Sequence, residues 1–465
     1  MPVIIIVADG ARPDTLAAAM DAGVLPELAA LRADGGAFEI TSAFPSVTGP
    51  AYAPFIVGRF PAPAGLPALR WFDRERATAS FPHYTRSYVG HEMRFVDRDL
   101  DADAPTLFEL AGTALGALSV IARGLPRRSR IGGGLGFALR AARTHFAGNV
   151  AGWLEIDRAV GAEIVERVRR DRPRAVFAAL TGIDKTSHSA GHAAPIVREA
   201  MRIVDEVVGE LRRAATADGW WEDTHLWIVS DHGHSPVHAH EDLERFVASL
   251  GWRVVAHPWV WRRAPQVAVM VSGNAMAHLY VDLERRERPW WGRLAAEWTP
   301  LAGALVERES VDLVLLPHGA ASCEIRSRRG SAMVERDGEL YSYVPRDGDP
   351  LGLGQLRGLD ADAAWDVTIA SDYPDAIVQI ARLAGSPRVG DIILSGARGW
   401  DFRARYEPIP HVSSHGALHR EHIMVPLIAS RPPVRRPRRT ADVFPSALTA
   451  LGVPLPAHLD GASFL

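Results

Sequence analysis

IVSDHGHSPVHAH, residues 228–240, joins the end of an apolar run to a cluster of candidate metal ligands. The apolar residues lead into Ser230 and Asp231, and histidines follow at positions 232, 234, 238 and 240. An unpaired carboxylate at the end of a buried strand is costly, and His and Asp are common metal ligands. The stretch therefore predicts a metal site and raises the question of which other residues meet Asp231 and His232 there.

The composition limits the classes of protein to which the chain can belong. It has 465 residues, 47% hydrophobic and 23% charged, as in an average globular protein. Its net charge of −3 gives no electrostatic reason to expect a nucleic-acid polymer as partner. The single cysteine, Cys323, excludes a disulfide framework and a thiolate zinc cluster, so a metal must be bound by His, Asp or Glu.

The amino-terminal run MPVIIIVADG predicts a strand and not a signal peptide, because it is short and lacks a basic flank. No window approaches the run of about 20 apolar residues that spans a bilayer. We therefore expect a cytoplasmic protein without a transmembrane segment. The sequence leaves open whether the chain forms a homo-oligomer.

The order of apolar and amphipathic segments predicts the fold class. Apolar runs that end in polar residues or glycine predict buried parallel strands at 3–10, 175–184, 225–233 and 422–430. Helical patterns alternate with them at 14–33, 104–115, 152–170, 195–215 and 442–452. This alternation predicts an α/β fold with a doubly wound, mostly parallel sheet and helices on both faces.

The alternation is interrupted over 238–400, where segments such as ASCEIRSRRGSAMVERDGELYSYV (321–344) indicate an inserted, partly antiparallel α+β cap. We expect a metal-binding catalytic core over 1–237 and 401–465, with an insertion near 76–150, and a substrate-selecting cap over 238–400. The arginine-rich segment 111–147 has two open interpretations, an amphipathic lipid-facing element or a subdomain that covers the site.

Three of the predicted strands lead into aspartates, namely Asp9, Asp184 and Asp231. Open α/β sheets bind ligands beyond the carboxyl ends of their strands. One buried aspartate could be a helix cap, but three from distant parts of the chain need a shared counter-charge, which a divalent metal would supply.

Histidines extend this ligand set. His188 lies four residues after Asp184, so one helical turn or a compact loop would direct both at one ion, and His232 directly follows Asp231. Further candidates lie in PHVSSHGALHREHIMVP (410–426), where we favour His415 because Gly416 lets the backbone pass close to a crowded site. Such ligands are typical of zinc or manganese, and two ions about 4 Å apart are the usual apparatus for displacement at phosphorus.

Thr48 is the candidate nucleophile. It precedes Gly49, Pro50 and an apolar helical run, so it would lie at a helix start, where backbone amides favour an anion. Taken alone, these residues favour the alternative that Thr48 is only an N-cap.

In chain order, Asp9, Thr48-x-Pro50, Asp184-x-x-x-His188, Asp231-His232 and His415-Gly416 resemble the alkaline phosphatase superfamily. The pattern is most similar to the type I phosphodiesterase/nucleotide pyrophosphatase branch, with the phosphonoacetate hydrolases as near relatives. The resemblance covers 1–75, 150–237 and 405–465, and leaves 76–150 and 238–400 unplaced.

The resemblance implies two Zn²⁺ ions, with Mn²⁺ as the alternative. One ion would be bound by Asp184, His188 and His415, and the other by Asp9, Asp231 and His232. Thr48 would attack phosphorus and form a phospho-threonine, which water then hydrolyses. The frame Thr48-x-Pro50-x-Tyr52 differs from the Cys- or Ser-x-Pro-x-Arg of sulfatases, so a sulfatase is excluded.

The chain also departs from the phosphodiesterase pattern. Ala51 replaces an asparagine, and Leu69 and Arg70 stand where these relatives have a phosphate-binding asparagine. Arg70 is either a clamp for the phosphoryl oxygens or an ordinary surface arginine. Further candidates for substrate contact, each with packing or orientation of a ligand as its alternative role, are Tyr52, Lys185 and His192. His234, often methionine in the relatives, is expected to line the site or orient a ligand.

The function most consistent with this pattern is a metal-dependent phosphoryl-transfer hydrolase, namely a phosphodiesterase/nucleotide pyrophosphatase that acts on a small-molecule phosphoester through a phospho-threonine at a two-zinc site. A carbon–phosphorus hydrolase of the phosphonoacetate type and a phosphomonoesterase remain open, as does a metal-stabilised binding protein without activity. That last class predicts a gap in the ligand set, and the sequence shows none.

Overall fold

The apolar runs of the sequence form the strands of a central sheet in the computed structural model, which describes residues 2–77, 85–257, 264–402 and 411–465. The strands are β1 Val3–Ala8, β2 Ala37–Thr41, β3 Arg70–Phe72, β4 Thr85–Ser87, β5 Ala114–Ala117, β6 Arg130–Ile131, β7 Ala175–Leu180, β8 His225–Val229, β9 Ser235–His240, β10 Val254–Ala256, β11 Val267–Ser272, β12 Met276–Val281, β13 Val311–Gly319, β14 Ser322–Ser327, β15 Gly330–Asp337, β16 Leu340–Gly348, β17 Leu356–Leu359, β18 Ile392–Gly396, β19 Gly399–Asp401, β20 Ser413–Ser414 and β21 Met424–Ala429.

The helices that pack around the sheets are mostly short. They are α1 Pro13–Asp21, α2 Pro26–Gly35, α3 Ala53–Val57, α4 Arg74–Ala77, α5 Val96–Asp99, α6 Leu107–Leu110, α7 Leu135–Phe146, α8 Val150–Asp171, α9 Gly182–Ala190, α10 Pro195–Ala217, α11 Leu243–Ser249, α12 Trp291–Val306, α13 Ala361–Thr368, α14 Ala376–Ala384, α15 Arg420–Ile423 and α16 Val443–Leu451.

The main sheet has seven strands in the order β2-β21-β8-β1-β7-β5-β6. The strands from β8 to β6 are parallel to their neighbours, so the predicted mostly parallel sheet is confirmed. The expectation that 422–430 is a parallel strand is wrong, because β21 runs antiparallel to β8. Because the chain is already at the carboxyl edge of the sheet when β21 begins, β21 must run in the direction opposite to that of the parallel strands. A buried apolar run looks the same in either direction.

Helices cover both faces of this sheet, as predicted. The side chains of β1 alternate, with Val3, Ile5 and Val7 in one core and Ile4 and Ile6 in the other. The first core is closed by α3 and α16, and the second by α1, α2, α8 and α10. This is the period-two pattern of a strand buried on both faces.

Helices predicted at 152–170, 195–215 and 442–452 are confirmed as α8, α10 and α16. The helix predicted at 14–33 is two helices, α1 and α2. The helix predicted at 104–115 is wrong, because α6 is a single turn and β5 follows it. Gly112, with a φ of 80°, separates the two. Two strands from the segment near 76–150, β5 and β6, belong to the main sheet.

A second sheet of nine strands has the order β10-β11-β12-β18-β13-β14-β15-β16-β17. Only the β10–β11 pair is parallel. These strands all fall within the region assigned to the cap, and the α+β character predicted for that region is confirmed. Within the described part of the chain, no helix combines the length and apolarity needed to cross a membrane.

Candidate metal centre

Three aspartates meet at the carboxyl edge of the main sheet. Asp9 follows β1, Asp231 follows β8 by one residue, and Asp184 lies in the first turn of α9 after β7. Because β8, β1 and β7 are parallel neighbours, their carboxyl ends share one edge. All three carboxylates are fully buried, at 0% exposure. The structure thus brings together the residues that the strand ends predicted.

His232 and Thr48 contact the first pair of carboxylates. His232 Nε2 lies 3.3 Å from Asp9 Oδ1 and 3.6 Å from Asp231 Oδ2. Thr48 Oγ1 lies 3.2 Å from Asp9 Oδ1 and 3.0 Å from His232 Nε2. The Thr48 hydroxyl is therefore directed at the centre of the cluster.

Three further histidines surround one oxygen of Asp184. The distances from Asp184 Oδ1 to Nε2 are 3.2 Å for His188, 3.0 Å for His234 and 3.5 Å for His415. In a tetrahedral zinc site with bonds of about 2.0–2.1 Å, neighbouring ligand atoms are about 3.3 Å apart. The spacing around Asp184 Oδ1 is therefore that of ligand atoms around one ion.

Hydrogen bonds from the other ring nitrogen fix the orientation of the imidazoles. Nδ1 of His188, His232 and His415 faces a backbone carbonyl at 2.9–3.1 Å, namely those of Ser413, Gly233 and Ser46. A carbonyl only accepts, so each Nδ1 carries a proton, which leaves Nε2 as the nitrogen that would bind a metal in the neutral ring. Such partners commonly set the tautomer of metal-binding histidines.

The ligand atoms form overlapping groups whose members lie within 4.8 Å of one another. These groups are Asp184, His188 and His234; Asp184, His232 and His415; and Asp9, Asp231 and His232. The predicted set of Asp184, His188 and His415 is thus divided between two groups that share Asp184. His234, which was expected to line the site or orient a ligand, completes the first group.

The residues of the cluster fit a divalent cation. Asp231 Oδ2 is buried and has no hydrogen-bond partner. Burial and the nearby Asp9 carboxylate raise the pKa of Asp231 well above its ordinary value. Burial opposes protonation of His232, but Asp231 and Asp9 outweigh it and raise the pKa of His232 to about 9. The protein groups alone leave this buried negative charge poorly compensated, and a cation would compensate it.

Asp157 supports the segment that carries Asp184 and His188. Its carboxylate accepts the backbone N–H groups of Thr181 at 3.1 Å and Gly182 at 2.6 Å, at the start of α9. Burial raises the pKa of Asp157 to about 7. The sequence did not single out Asp157, because a carboxylate inside the amphipathic helix α8 resembles a surface residue.

Thr48 is not the N-cap of the helix that follows it. Gly49, with a φ of 94°, holds that position for the turn Pro50–Tyr52. The side chain of Thr48 instead contacts Asp9 and His232, so the structure contradicts the N-cap alternative for this residue.

A cavity of about 220 Å³ opens onto the cluster. Thr48, Arg70 and Lys185 line it, together with Trp153 and Asn274. Asn274 comes from the turn between β11 and β12 with a φ of 64°. It was not predicted, since a single asparagine in the cap region carries no motif.

The other candidates for substrate contact lie in different surroundings. Lys185 Nζ is 2.8 Å from Asp184 Oδ2; burial would lower the pKa of Lys185, but Asp184 and Asp9 raise it above its ordinary value. Tyr52 is buried behind Asp9 and donates to Asp9 Oδ2 at 3.3 Å. His192 follows α9, where burial lowers its pKa, and does not line the cavity.

A family model described as type I phosphodiesterase/nucleotide pyrophosphatase matches residues 3–289, more than half of the 465-residue chain. Among curated proteins, none matches the chain in sequence.

Solved structures with similar folds include phosphonoacetate hydrolase from Sinorhizobium meliloti bound to phosphonoformate, with 17% identity and a TM-score of 0.59 over 97% of this chain and 96% of that one. Human ectonucleotide pyrophosphatase/phosphodiesterase 5 has 14% identity and a TM-score of 0.59 over 99% and 97%. An inactive form of the murine protein in complex with AMP has 15% identity and a TM-score of 0.58 over 99% and 97%. At these identities the likeness shows the fold alone, which is alkaline phosphatase-like.

Proposed function

Because this chain belongs to the type I phosphodiesterase/nucleotide pyrophosphatase family, we propose that it is a two-metal phosphodiesterase with Thr48 as its nucleophile. The observation that carries the proposal is the position of Thr48, which lines the cavity and whose Oγ1 lies 3.0–3.2 Å from two candidate metal ligands. A half-buried hydroxyl in contact with a carboxylate and an imidazole is placed for activation, whereas a structural threonine would satisfy a backbone group.

The family resemblance implies which residues would hold the metals, and one of its two sets, Asp9 with Asp231 and His232, is also a ligand group of the structure. Asp9, Asp231 and His232 would hold one ion, and Asp184 with His188 and His415 the other, as the family resemblance implies. When bound, two such ions stabilise charge on the phosphoryl oxygens and lower the pKa of an attacking oxygen. We propose zinc, since the set is made of imidazoles and carboxylates, with manganese as the alternative.

The reaction proceeds through Thr48 in two displacements. Thr48 Oγ1 forms a bond to phosphorus while one ester P–O bond breaks, and the released alcohol takes up the proton that the Thr48 hydroxyl loses. Water then attacks the phospho-threonine and the bond from phosphorus to Oγ1 breaks. One proton of the water restores the hydroxyl of Thr48, and the rest of the water becomes a hydroxyl group on phosphorus. The products are one alcohol and one phosphomonoester.

Polar side chains around the cavity would orient the substrate. Arg70 and Lys185 supply cationic donors, and Asn274 supplies an amide. Because Asn274 belongs to the second sheet, it supports our proposal that the cap over 238–400 selects the substrate. The apolar wall, which includes Trp153, favours an organic group on the phosphate.

Arg70 also favours a second candidate. Its guanidinium lines the cavity, and a planar cationic fork suits a doubly charged phosphoryl group. A phosphomonoesterase, or a carbon–phosphorus hydrolase of the phosphonoacetate type, would use the same metals and the same nucleophile.

Initial rates in the presence of zinc on bis-p-nitrophenyl phosphate, p-nitrophenyl phosphate, AMP esters and phosphonoacetate distinguish these candidates. We expect the diesters to be preferred, Thr48→Ala to lose at least about a thousandfold in kcat, and Thr48→Ser to retain a fraction of it. Metal analysis of Thr48→Ala checks that the site is intact. Full activity of Thr48→Ala with normal metal content would refute the assignment of the nucleophile.

A further inference from the structure

Residues 110–154 contain six arginines and neither aspartate nor glutamate, although the whole chain carries a net charge of −3. Arg127 and Arg128 are exposed in a 3-10 turn, and Arg143 is exposed on α7. Across the described residues, no carboxylate forms an ion pair with any of these three side chains. The segment therefore presents uncompensated positive charge to solvent.

Helix α7 carries an apolar stripe on its outer face. Leu135, Leu139 and Phe146 are 76%, 62% and 74% exposed. Their spacing of four and seven residues places them on one side of the helix. The opposite side is already used, because Phe137 packs against the core and Thr144 is buried. The stripe is therefore a second apolar face, and such exposed patches mark interaction sites.

This surface adjoins the rim of the catalytic cavity. His145, the penultimate residue of α7, lines the cavity, and its ring centroid lies 5.2 Å from that of the exposed Phe146. Val89, 51% exposed, is part of the same wall. A surface that held α7 would therefore lie beside the entrance to the site.

We propose that α7 and the arginine-rich turn before it dock this protein on an anionic lipid bilayer. Arginine around a strip of leucine and phenylalanine is the composition of helices that lie in the plane of a bilayer, with the apolar face among the acyl chains and the cations among the phosphates. A bilayer satisfies both features at once, and in the part of the chain that the structure describes no carboxylate pairs with Arg127, Arg128 or Arg143. The proposal is independent of the reaction assigned to Thr48.

Sedimentation of the full chain with vesicles tests the proposal. Vesicles of equal parts phosphatidylglycerol and phosphatidylcholine are expected to bind the protein, in a way that high salt reverses, and pure phosphatidylcholine vesicles are not. Leu135→Gln with Leu139→Gln should weaken binding about tenfold or more, and Arg127→Gln with Arg128→Gln by about fivefold for each arginine.

Val434→Gln is the matched control, because Val434 is 89% exposed within another arginine-rich stretch and not on a helix. It should bind vesicles like the parent, and all variants should keep the parent circular dichroism spectrum. Equal binding to both kinds of vesicle, or unchanged binding of both double variants, would overturn the proposal. So would a dimer that the leucine variant converts to monomer without vesicle binding by the parent, which would assign the stripe to a second copy.

Discussion

His234 Nε2 lies 3.0 Å from Asp184 Oδ1, while Lys185 Nζ lies 2.8 Å from the other oxygen of the same carboxylate. Both oxygens of Asp184 therefore have a side-chain partner. Burial opposes ionisation of Asp184, but Lys185 and the neighbouring imidazoles outweigh it and hold the pKa of this carboxyl well below its ordinary value. Asp184 belongs to two of the ligand groups, so the residue that orients it affects the whole centre.

Replacing His234 should weaken metal binding. We expect His234→Leu to lower zinc affinity about 10–100-fold, the usual effect of losing a partner that orients a ligand. His234→Gln places an amide at a similar distance from Asp184 and should lose less zinc affinity. Zinc retention in competition with a chelator measures the effect. His278→Gln, at a buried histidine of the second sheet, controls for the loss of an imidazole; equal affinity in His234→Leu would contradict the prediction.

Removing metal should destabilise the fold and not only stop turnover. Asp9, Asp184 and Asp231 are fully buried, and a ligand present at 100-fold its Kd stabilises a protein by about 2.7 kcal/mol. We expect a lower Tm after dialysis against a chelator and recovery on addition of zinc. The Asp231→Asn variant should respond less to the chelator, because its apoprotein lacks the repulsion between Asp9 and Asp231. An unchanged Tm in the parent protein would argue against bound metal.

Arg70 should distinguish monoesters from diesters. A charge-assisted hydrogen bond to a phosphoryl oxygen contributes about 1.5–3 kcal/mol, so Arg70→Gln should lower kcat/KM about 10–100-fold wherever Arg70 grips the phosphate. We expect the larger loss on p-nitrophenyl phosphate and the smaller on the diester. Arg346→Gln, at an exposed arginine of β16, is the control. Equal rates in Arg70→Gln and the parent would show that Arg70 does not bind the phosphate.

His278 should contribute to acid instability far from the metal centre. Its Nδ1 accepts the Gly390 N–H at 3.0 Å and its Nε2 faces the Pro67 carbonyl at 3.3 Å, so only the neutral ring fits. Burial lowers the pKa of His278 to about 3. Because this lies below the unfolded value of about 6.5, stability present above pH 6.5 is lost as the pH falls toward 3.

Urea denaturation at pH 7, 6 and 5 measures this contribution. Because of His278, the free energy of unfolding of the parent should fall by about 2 kcal/mol between pH 7 and pH 5. In His278→Gln, the decrease over the same pH range should be smaller by about that amount. The same pH dependence in variant and parent would contradict the prediction.

The sequence predicted the parts of this protein that depend on local patterns. Apolar runs of strand length identify β1, β7 and β8, and the aspartate after each run is then at the sheet edge by the rule for parallel sheets. The proximity of His188 to Asp184 and of His232 to Asp231 is predicted from their spacing in the sequence alone. These features are local, so they can be read without knowledge of the tertiary structure.

The features that were missed depend on contacts between distant segments. The direction of β21 is set by where the chain stands after Ser413–Ser414, and no residue within the strand encodes it. Asn274 reaches the cavity from the second sheet, and Tyr52 points at Asp9 and not at the cavity. The sequence gives the identity of each of these side chains, but it does not show which residues each one contacts in the fold.

The candidate metal ligands are spread along almost the whole chain, from Asp9 to His415. During synthesis, Asp9 and Thr48 leave the ribosome long before His415 has been made, and the carboxylates of the first half then have no complete set of partners. A nascent or truncated chain would therefore hold metal weakly or in the wrong coordination. Tight metal loading becomes a property of the finished polypeptide, so it can serve as a test that both ends of the chain have been assembled together.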